Sequence, residues 1–201
     1  MVICDNMHSY SLKNDNKNEI LTVILILSGF FDLIMNYAVS CLSNLINNWM
    51  IPIIIFLFTY FASYKIIYYL YNEKLWKSKF FGIINKHPNI SGKWEGTINN
   101  SEFAPIAVNV EIIQTWSEII MILTTDTAYS KTKCLSMDNE DKLRIDYIYL
   151  NKTRGMDNQE LRNHEGTCSL LISDDLKNME GEYYTNHHRK STGILKLEKI
   201  N

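Results

Sequence analysis

The sequence predicts an N-terminal two-helix transmembrane hairpin followed by an all-β domain, a small antiparallel up-and-down β-barrel of about eight strands. Two apolar segments, Ile20–Leu42 and Trp49–Tyr71, each span 23 residues and flank a short link without charge. From residue 89 onwards the hydrophobic pattern changes to a period of two, which is typical of β-strands. Closure of these strands into a barrel would leave no exposed strand edges. A β-sandwich is the alternative architecture.

The first 19 residues are polar and lack periodicity, so we expect a flexible N-terminal arm over residues 1–19. Residues 20–71 form the predicted hairpin, because a helix that rises about 1.5 Å per residue crosses a bilayer in about 20 residues. Lysines precede the first span and follow the second, whereas the link carries no charge. The positive-inside rule therefore places both termini of this multi-pass protein in the cytoplasm.

One carboxyl group lies inside the first apolar segment. Asp32 is near the middle of the span, and Asn36 follows one helical turn later on the same face. A carboxyl group that faces lipid is costly, so Asp32 should be protonated, or its face should turn towards another helix or towards water. Two interpretations stay open. The pair forms a polar seam between subunits or the lining of a pore, or it is tolerated within its own hairpin.

Residues 72–88 continue as an amphipathic juxtamembrane linker. Trp76 lies among lysines, a composition that suits the membrane interface. His87 and Pro88 end this stretch, because the residue before a proline is disfavoured in a helix. The remaining residues, 89–201, form the predicted barrel.

Eight strand-like runs follow one another, mostly at hairpin spacing. They are Ile90–Ile98, Ile106–Gln114, Trp116–Thr125, Ala128–Leu135, Leu143–Asn151, His164–Ile172, Lys177–Thr185 and Arg189–Ile200. The one long connection, Lys152–Arg162, is highly charged, and we expect it to be a mobile loop or lid.

Alternation along these runs predicts which side chains point into the barrel. The polar inward residues collect at one end: Thr125, Ser130, Tyr149, Asn151, Thr185 and Arg189. The other end receives apolar residues: Leu143, Ile145, Met179, Leu195 and Leu197. The same alternation places Cys134 inside. An arginine, hydroxyls and tyrosines suit a small ligand that is both anionic and aromatic. Barrel ends are also wet in the absence of any ligand, so the alternative is a polar rim that binds nothing.

Charge and motif content exclude several functions. Residues 88–201 carry 13 basic and 17 acidic side chains, a net charge of −4, which argues against binding long nucleic acid. The four cysteines form no CxxC pair, and His164, His187 and His188 lack the spacing of a metal site. No nucleophile elbow, phosphate-binding loop or dinucleotide-binding turn occurs. We therefore expect neither an enzyme nor a metal or other cofactor.

Short motifs recur in an order that is typical of a known family. They are Ile90–Gly96, Ile122–Thr125 with Ala128–Ser130, Tyr147–Asn151, His164–Thr167, Gly181–Tyr184 and Arg189–Gly193. Together with the preceding hairpin, they make residues 20–200 similar to the two-transmembrane β-barrel effectors of CBASS anti-phage systems. This family is the SMODS-associated two-transmembrane, β-strand-rich effector domain.

The resemblance implies a bacterial inner-membrane protein whose cytosolic barrel, residues 89–201, senses a cyclic di- or oligonucleotide second messenger. Binding would drive homo-oligomerisation and disruption of the lipid bilayer. The ligand-binding candidates that it implies are Thr125, Tyr129, Ser130, Tyr147, Tyr149, Asn151, Arg189 and Thr192. Alternation places Tyr129 and Thr192 on the outer face, in conflict with this assignment. Trp94 is expected to pack the barrel floor.

Two other functions fit the same architecture. A membrane-tethered, lipocalin-like carrier of an apolar ligand predicts a hollow apolar interior without nucleotide affinity. A barrel-bearing adaptor predicts a filled barrel and a functional outer surface. An enzyme that acts on lipid is the most distant alternative.

Overall fold

The computed structural model describes residues 7–42, 50–79, 81–101, 104–153, 163–186 and 190–200. The chain divides into two compact units. Residues 16–86 form the helical unit, whereas residues 1–15 and 87–201 form the barrel unit. Each unit is a separate structural body with its own buried side chains.

Two long helices make up most of the helical unit, as the sequence predicts. Helix α1 spans Lys17–Leu42 and helix α2 spans Met50–Glu73. Over Lys17–Tyr37, α1 has a mean hydropathy of 1.9, which makes it a candidate membrane span by length and composition. Large apolar side chains such as Phe30 and Phe58 are exposed on these helices. An apolar exterior of this kind is typical of helices that lie in lipid.

The predicted amphipathic linker contains two short 3-10 helices, Leu75–Lys77 and Phe81–Ile83. Trp76 is buried there, and the ring of Phe81 meets Tyr71 edge-on at 5.4 Å between centroids. These contacts lie within the helical unit, so the part of the linker that precedes His87 belongs to that unit.

Ten strands form one continuous sheet in the barrel unit. They are β1 His8–Ser9, β2 Ser11–Leu12, β3 Gly92–Asn99, β4 Ile106–Gln114, β5 Glu118–Thr124, β6 Ala128–Asp138, β7 Arg144–Thr153, β8 His164–Ile172, β9 Asn178–Thr185 and β10 Thr192–Lys199. From β3 to β10 each strand pairs antiparallel with the next, and β10 pairs with β3. This closure confirms the eight-stranded up-and-down barrel.

Strands β1 and β2 lie within the predicted flexible arm, residues 1–19, and correct that prediction for residues 8–12. His8 pairs with Ile119 of β5, whereas Leu12 pairs in parallel with Met137 of β6 and is buried. Five residues are too few for a period of two to be visible in the sequence. Residues 8–12 are ordered because β5 and β6 diverge and leave backbone groups that need hydrogen-bond partners.

The barrel floor is filled by large apolar side chains with almost no exposure: Trp94, Met137, Ile145, Leu170 and Met179. The indole nitrogen of Trp94 donates a hydrogen bond to the carbonyl oxygen of Ile90 at 3.1 Å. This satisfies the one polar group of the ring, so Trp94 packs the floor as the sequence predicts.

A β-bulge corrects one predicted inward residue. The register of β6 against β7 shifts between Thr132 and Cys134, so Cys134 is exposed and Leu135 is buried. One extra residue in a strand reverses the alternation that follows it. The prediction that Cys134 points inside is therefore wrong.

Candidate ligand-binding cavity

A cavity of about 150 Å³ lies inside the barrel. Its polar lining comes from the hairpin ends β5–β6, β7–β8 and β9–β10, which therefore lie at the same end of the barrel. Five of the eight ligand-binding candidates line it: Thr125, Ser130, Tyr147, Tyr149 and Asn151. Its apolar lining includes Met121, Leu123, Cys168 and Leu195. The predicted division into a polar mouth and an apolar floor is thus present in the structure.

Tyr149 belongs to an aromatic group on the cavity wall. Its ring centroid lies 6.2 Å from that of Tyr147, with the planes tilted by 57°. The ring of His164 meets it edge-on at 6.3 Å. Such rings present flat, weakly polar faces on which a planar ligand group can stack.

Two glycines make room for the cavity tyrosines. Gly166 pairs with Tyr149 across β7 and β8, and a methyl group on Gly166 would overlap the Tyr149 hydroxyl. Gly193 pairs with Tyr183 in the same way, and its Cβ would lie 2.6 Å from the Tyr183 ring. Each tyrosine therefore lies across a glycine on the neighbouring strand, an arrangement that fixes the direction of the ring.

Hydroxyl groups at the mouth are tied into the strand ends. The amide of Ser191 donates to Thr185 Oγ1 at 2.8 Å, and the Thr185 hydroxyl donates to the Ser191 carbonyl at 3.1 Å. At the neighbouring hairpin, the amide of Ala128 donates to Thr125 Oγ1 at 3.0 Å. These bonds hold the polar side of the cavity in place before any ligand binds.

Few charged side chains line the cavity. Burial raises the pKa of the Tyr147 hydroxyl well above its usual value and raises the pKa of the Cys168 thiol to about 12. Both groups therefore stay protonated at neutral pH. Within the described part of the chain, Lys131 is the one Lys, Arg, Asp or Glu residue of the lining. A ligand phosphate consequently finds little cationic charge in the depth of the barrel.

Two of the ligand-binding candidates that the structure describes do not line this cavity. Tyr129 borders a groove on the outer face with Lys133 and Lys152, and Thr192 is exposed at the start of β10. These positions agree with the alternation and disagree with the roles implied by the resemblance. Arg189 and residues 154–162 of the predicted lid lie outside the described residues.

The lining also contains residues that the resemblance did not suggest as ligands. His164 pairs with Asn151 across β7 and β8, and Tyr183 and Ser191 line the same cavity. Alternation already placed Tyr183 on the inner face, so strand register could have identified it. Among the described residues, no group of three His, Cys, Asp or Glu side chains could hold a metal ion.

A second polar group lies between the helices of the helical unit. Ser28, Asp32 and Ser63 are buried there, and Asn36 Nδ2 donates to Thr59 Oγ1 on the facing helix at 3.2 Å. Neither carboxylate oxygen of Asp32 has a hydrogen-bond partner in the part of the chain that the structure describes. In this conformation, Asp32 is buried within the hairpin that contains it.

Comparisons with known proteins agree with this architecture. A family model described as Cap15, cyclic dinucleotide receptor domain, matches residues 85–199. CD-NTase-associated protein 15 of Yersinia aleksiciae is 23% identical over 193 residues, which cover 92% of this chain and 93% of that protein. The protein of the same name from Staphylococcus schleiferi is 29% identical over 133 residues, covering 65% of this chain and 71% of the relative.

Proposed function

The chain belongs to the Cap15 cyclic dinucleotide receptor family, and from this premise we propose that it is a membrane-disrupting effector of a bacterial CBASS system. The barrel binds a cyclic di- or oligonucleotide second messenger. Binding drives oligomerisation of the transmembrane hairpins and loss of inner-membrane integrity. The protein needs no cofactor other than this activating ligand, and it catalyses no reaction.

The observation that carries this proposal is the aromatic cavity, with few charged side chains, behind a polar mouth. Tyr149 and Tyr183 offer flat faces for a base, and stacking on an aromatic ring contributes about 1–3 kcal/mol per base. Thr125 and Asn151 add hydrogen-bonding groups at the mouth. A nucleobase is planar, uncharged and edged with donors and acceptors, so it matches this interior.

The size of the cavity limits how much of the ligand enters it. Its volume of about 150 Å³ is below the ~300–1,000 Å³ that is typical of small-molecule sites. One base therefore inserts into the barrel, while the phosphodiester ring stays at the mouth. From the sequence we expect Arg189 to contact a phosphate there, because a guanidinium pairs with two phosphate oxygens at once.

Ligand binding acts on the hairpins by shifting a conformational equilibrium. A ligand that binds the assembly-competent form more tightly increases the population of that form. Ser28, Asp32 and Asn36 on α1 then turn away from α2 and line contacts between subunits. Several such polar helix faces together bring water into the bilayer, because buried polar groups without partners are costly in lipid.

The membrane arrangement follows the charge pattern of the sequence. Residues 20–71 span the inner membrane, residues 72–88 lie at its interface, and both termini are cytoplasmic. The barrel of residues 89–201 then samples the cytosol, where a second messenger is made. Its partners are the cyclic nucleotide, the lipid bilayer and further copies of the chain.

Dye release from liposomes tests the proposal. The full chain is reconstituted with an entrapped dye and titrated with a panel of cyclic dinucleotides and with their linear counterparts. We expect at least one cyclic dinucleotide to bind and to release dye, and the linear compounds to do neither. A chain that binds none of the panel, or that binds without any release of dye, would contradict the proposal.

The apolar part of the cavity lining favours a lipocalin-like carrier as the second candidate. Met121, Leu123 and Leu195 would surround the tail of an apolar ligand there. Under this alternative a fatty acid binds and cyclic dinucleotides do not. The same titration, with a fatty acid included, separates the two functions.

A further inference from the structure

The barrel wall contains a seam at which neighbouring strands pair over a short distance. Strands β5 and β6 share three residue pairs, from Ile122–Lys131 to Thr124–Tyr129. Beyond these pairs, β5 bonds to β1 and β6 bonds to β2. We call residues 8–12 the N-terminal strap, because they close the seam without belonging to the eight-stranded meander.

The hydroxyl of Thr132 joins the strap to the cavity. The Thr132 side chain is buried and lines the cavity as well as the outer groove beside His8. Its Oγ1 lies 2.9 Å from His8 Nε2 and accepts a hydrogen bond from the Met121 amide at 3.1 Å. A ligand that moves Thr132 therefore alters the hydrogen bond between Thr132 and His8 that joins the barrel to the strap.

The strap also contacts the residues at which the chain returns to the barrel unit. Gln114 Nε2 donates to Tyr10 Oη at 3.2 Å and to the Pro88 carbonyl at 3.0 Å. The rings of Tyr10 and His87 meet edge-on at 5.7 Å. His87 Nε2 lies 3.7 Å from Asp15 Oδ1. The points where the chain leaves and rejoins this unit are thus adjacent, and the strap packs beside them.

We propose that Thr132 senses the occupancy of the cavity and that the N-terminal strap transmits it to the helices. This inference rests on the proposed function, because the ligand is the one that binds the barrel. Occupancy displaces Thr132 from His8, and the strap leaves the seam. Residues 13–16 link Leu12 to the start of α1, and the Lys13 amide donates to the Met137 carbonyl at 2.9 Å. The strap and Lys13 therefore leave the barrel together, which frees the N-terminal end of that helix.

A reversible crosslink tests the inference. Ser11 and Ser136 are register partners, with their hydroxyl oxygens 3.0 Å apart, so cysteines at both positions can form a disulfide. The variant Ser11→Cys/Ser136→Cys is made with Cys134→Ser, because Cys134 lines a surface groove together with Ser11 and Ser136. The full chain is assayed in dye-loaded liposomes with the cyclic dinucleotide that activates the wild type.

Locking the strap should disfavour the active form and, by linkage, ligand binding. We expect the oxidised variant to need at least fivefold more ligand for half-maximal dye release, or to release no dye. Reduction of the disulfide should restore the wild-type response in the same sample. Equal responses of the oxidised and reduced forms would overturn the inference.

Weakening the strap should have the opposite effect. His8→Ala removes the contact with Thr132, so we expect dye release at a ligand concentration at least threefold lower than for the wild type. Ser9→Ala, at the exposed neighbouring position, is the matched control and should behave as the wild type. An unchanged or higher requirement in His8→Ala would overturn the inference while leaving the proposed function intact. A wild type that binds no cyclic dinucleotide would overturn both.

Discussion

The barrel cavity and the helix pair both bury polar side chains, but they satisfy them differently. In the barrel, Thr132, Thr185 and Ser191 take part in hydrogen bonds. In the helix pair, Asp32 is fully buried and, within the described residues, both of its carboxylate oxygens lack a partner. A cavity whose polar groups are hydrogen-bonded is already formed for binding. A buried carboxyl group without a hydrogen bond favours a conformation in which it gains a partner. Under the proposed function, the ligand therefore binds the barrel unit, and the helix pair is the unit that exchanges partners.

The largest effect on stability is expected at the barrel floor, which supports the cavity. Leu170→Ala removes a fully buried side chain and should lower the free energy of unfolding by about 2–5 kcal/mol. Leu171→Ala, at the half-exposed neighbouring position, should change it by less than about 0.5 kcal/mol. Chemical denaturation in detergent, followed by tryptophan fluorescence, measures both. Similar losses in the two variants would contradict the assignment of Leu170 to the floor.

A smaller effect of opposite sign is expected in the helix pair. Asp32→Leu replaces an unbonded buried carboxyl with an apolar side chain and should stabilise the closed pair by about 1–3 kcal/mol. Ligand binding by the barrel should stay intact, while dye release should require more ligand. Thermal unfolding followed by circular dichroism and the liposome assay measure the two quantities.

The matched control for the helix pair is Leu33→Val, at an exposed position next to Asp32. It should change neither the thermal unfolding nor the dye release. If Asp32→Leu leaves dye release unchanged, then Asp32 has no part in the mechanism. In that case, the buried carboxyl group of the helix pair would affect only the stability of the protein and not its activation.

The third prediction concerns the protonation of Cys168 in the cavity. Burial raises the pKa of Cys168 to about 12, so its thiol stays protonated at pH 8 and titrates only as the pH approaches that value. Cys134 is exposed on the outer face. We expect alkylation of Cys168 at pH 8 to be at least tenfold slower than that of Cys134, because the thiolate is the reactive form. Peptide mapping by mass spectrometry measures both rates, and equal rates would show that solvent reaches the cavity depth.

Periodicity was sufficient to predict the architecture and much of the cavity. Alternation placed Tyr149, Tyr183 and Leu195 on the inner face, and the structure confirms it. These strands are half-buried and regular, so each inward residue is two positions from the next. The helices were equally clear, since an apolar run of more than 20 residues is long enough to cross a bilayer as a helix.

The remaining features depend on tertiary structure rather than on a local pattern. The bulge at Thr132 and Cys134 is one extra residue, and the sequence carries no mark of it. The N-terminal strap is ordered by a gap between strands that lie more than 100 residues later in the chain. The burial of Asp32 within its own hairpin depends on how two uniformly apolar helices face each other, which periodicity could not establish.

The stacking role of the cavity tyrosines is the central claim, and a pair of tyrosine variants tests it most directly. Tyr149 lines the cavity, whereas Tyr184 is half-exposed on the outer face. Calorimetric titration of the full chain with its activating cyclic dinucleotide should show Tyr149→Ala weakening binding by about 5- to 150-fold. Tyr184→Ala should bind as the wild type does. Wild-type affinity in Tyr149→Ala, or an equal loss in Tyr184→Ala, would contradict a ligand site inside the barrel.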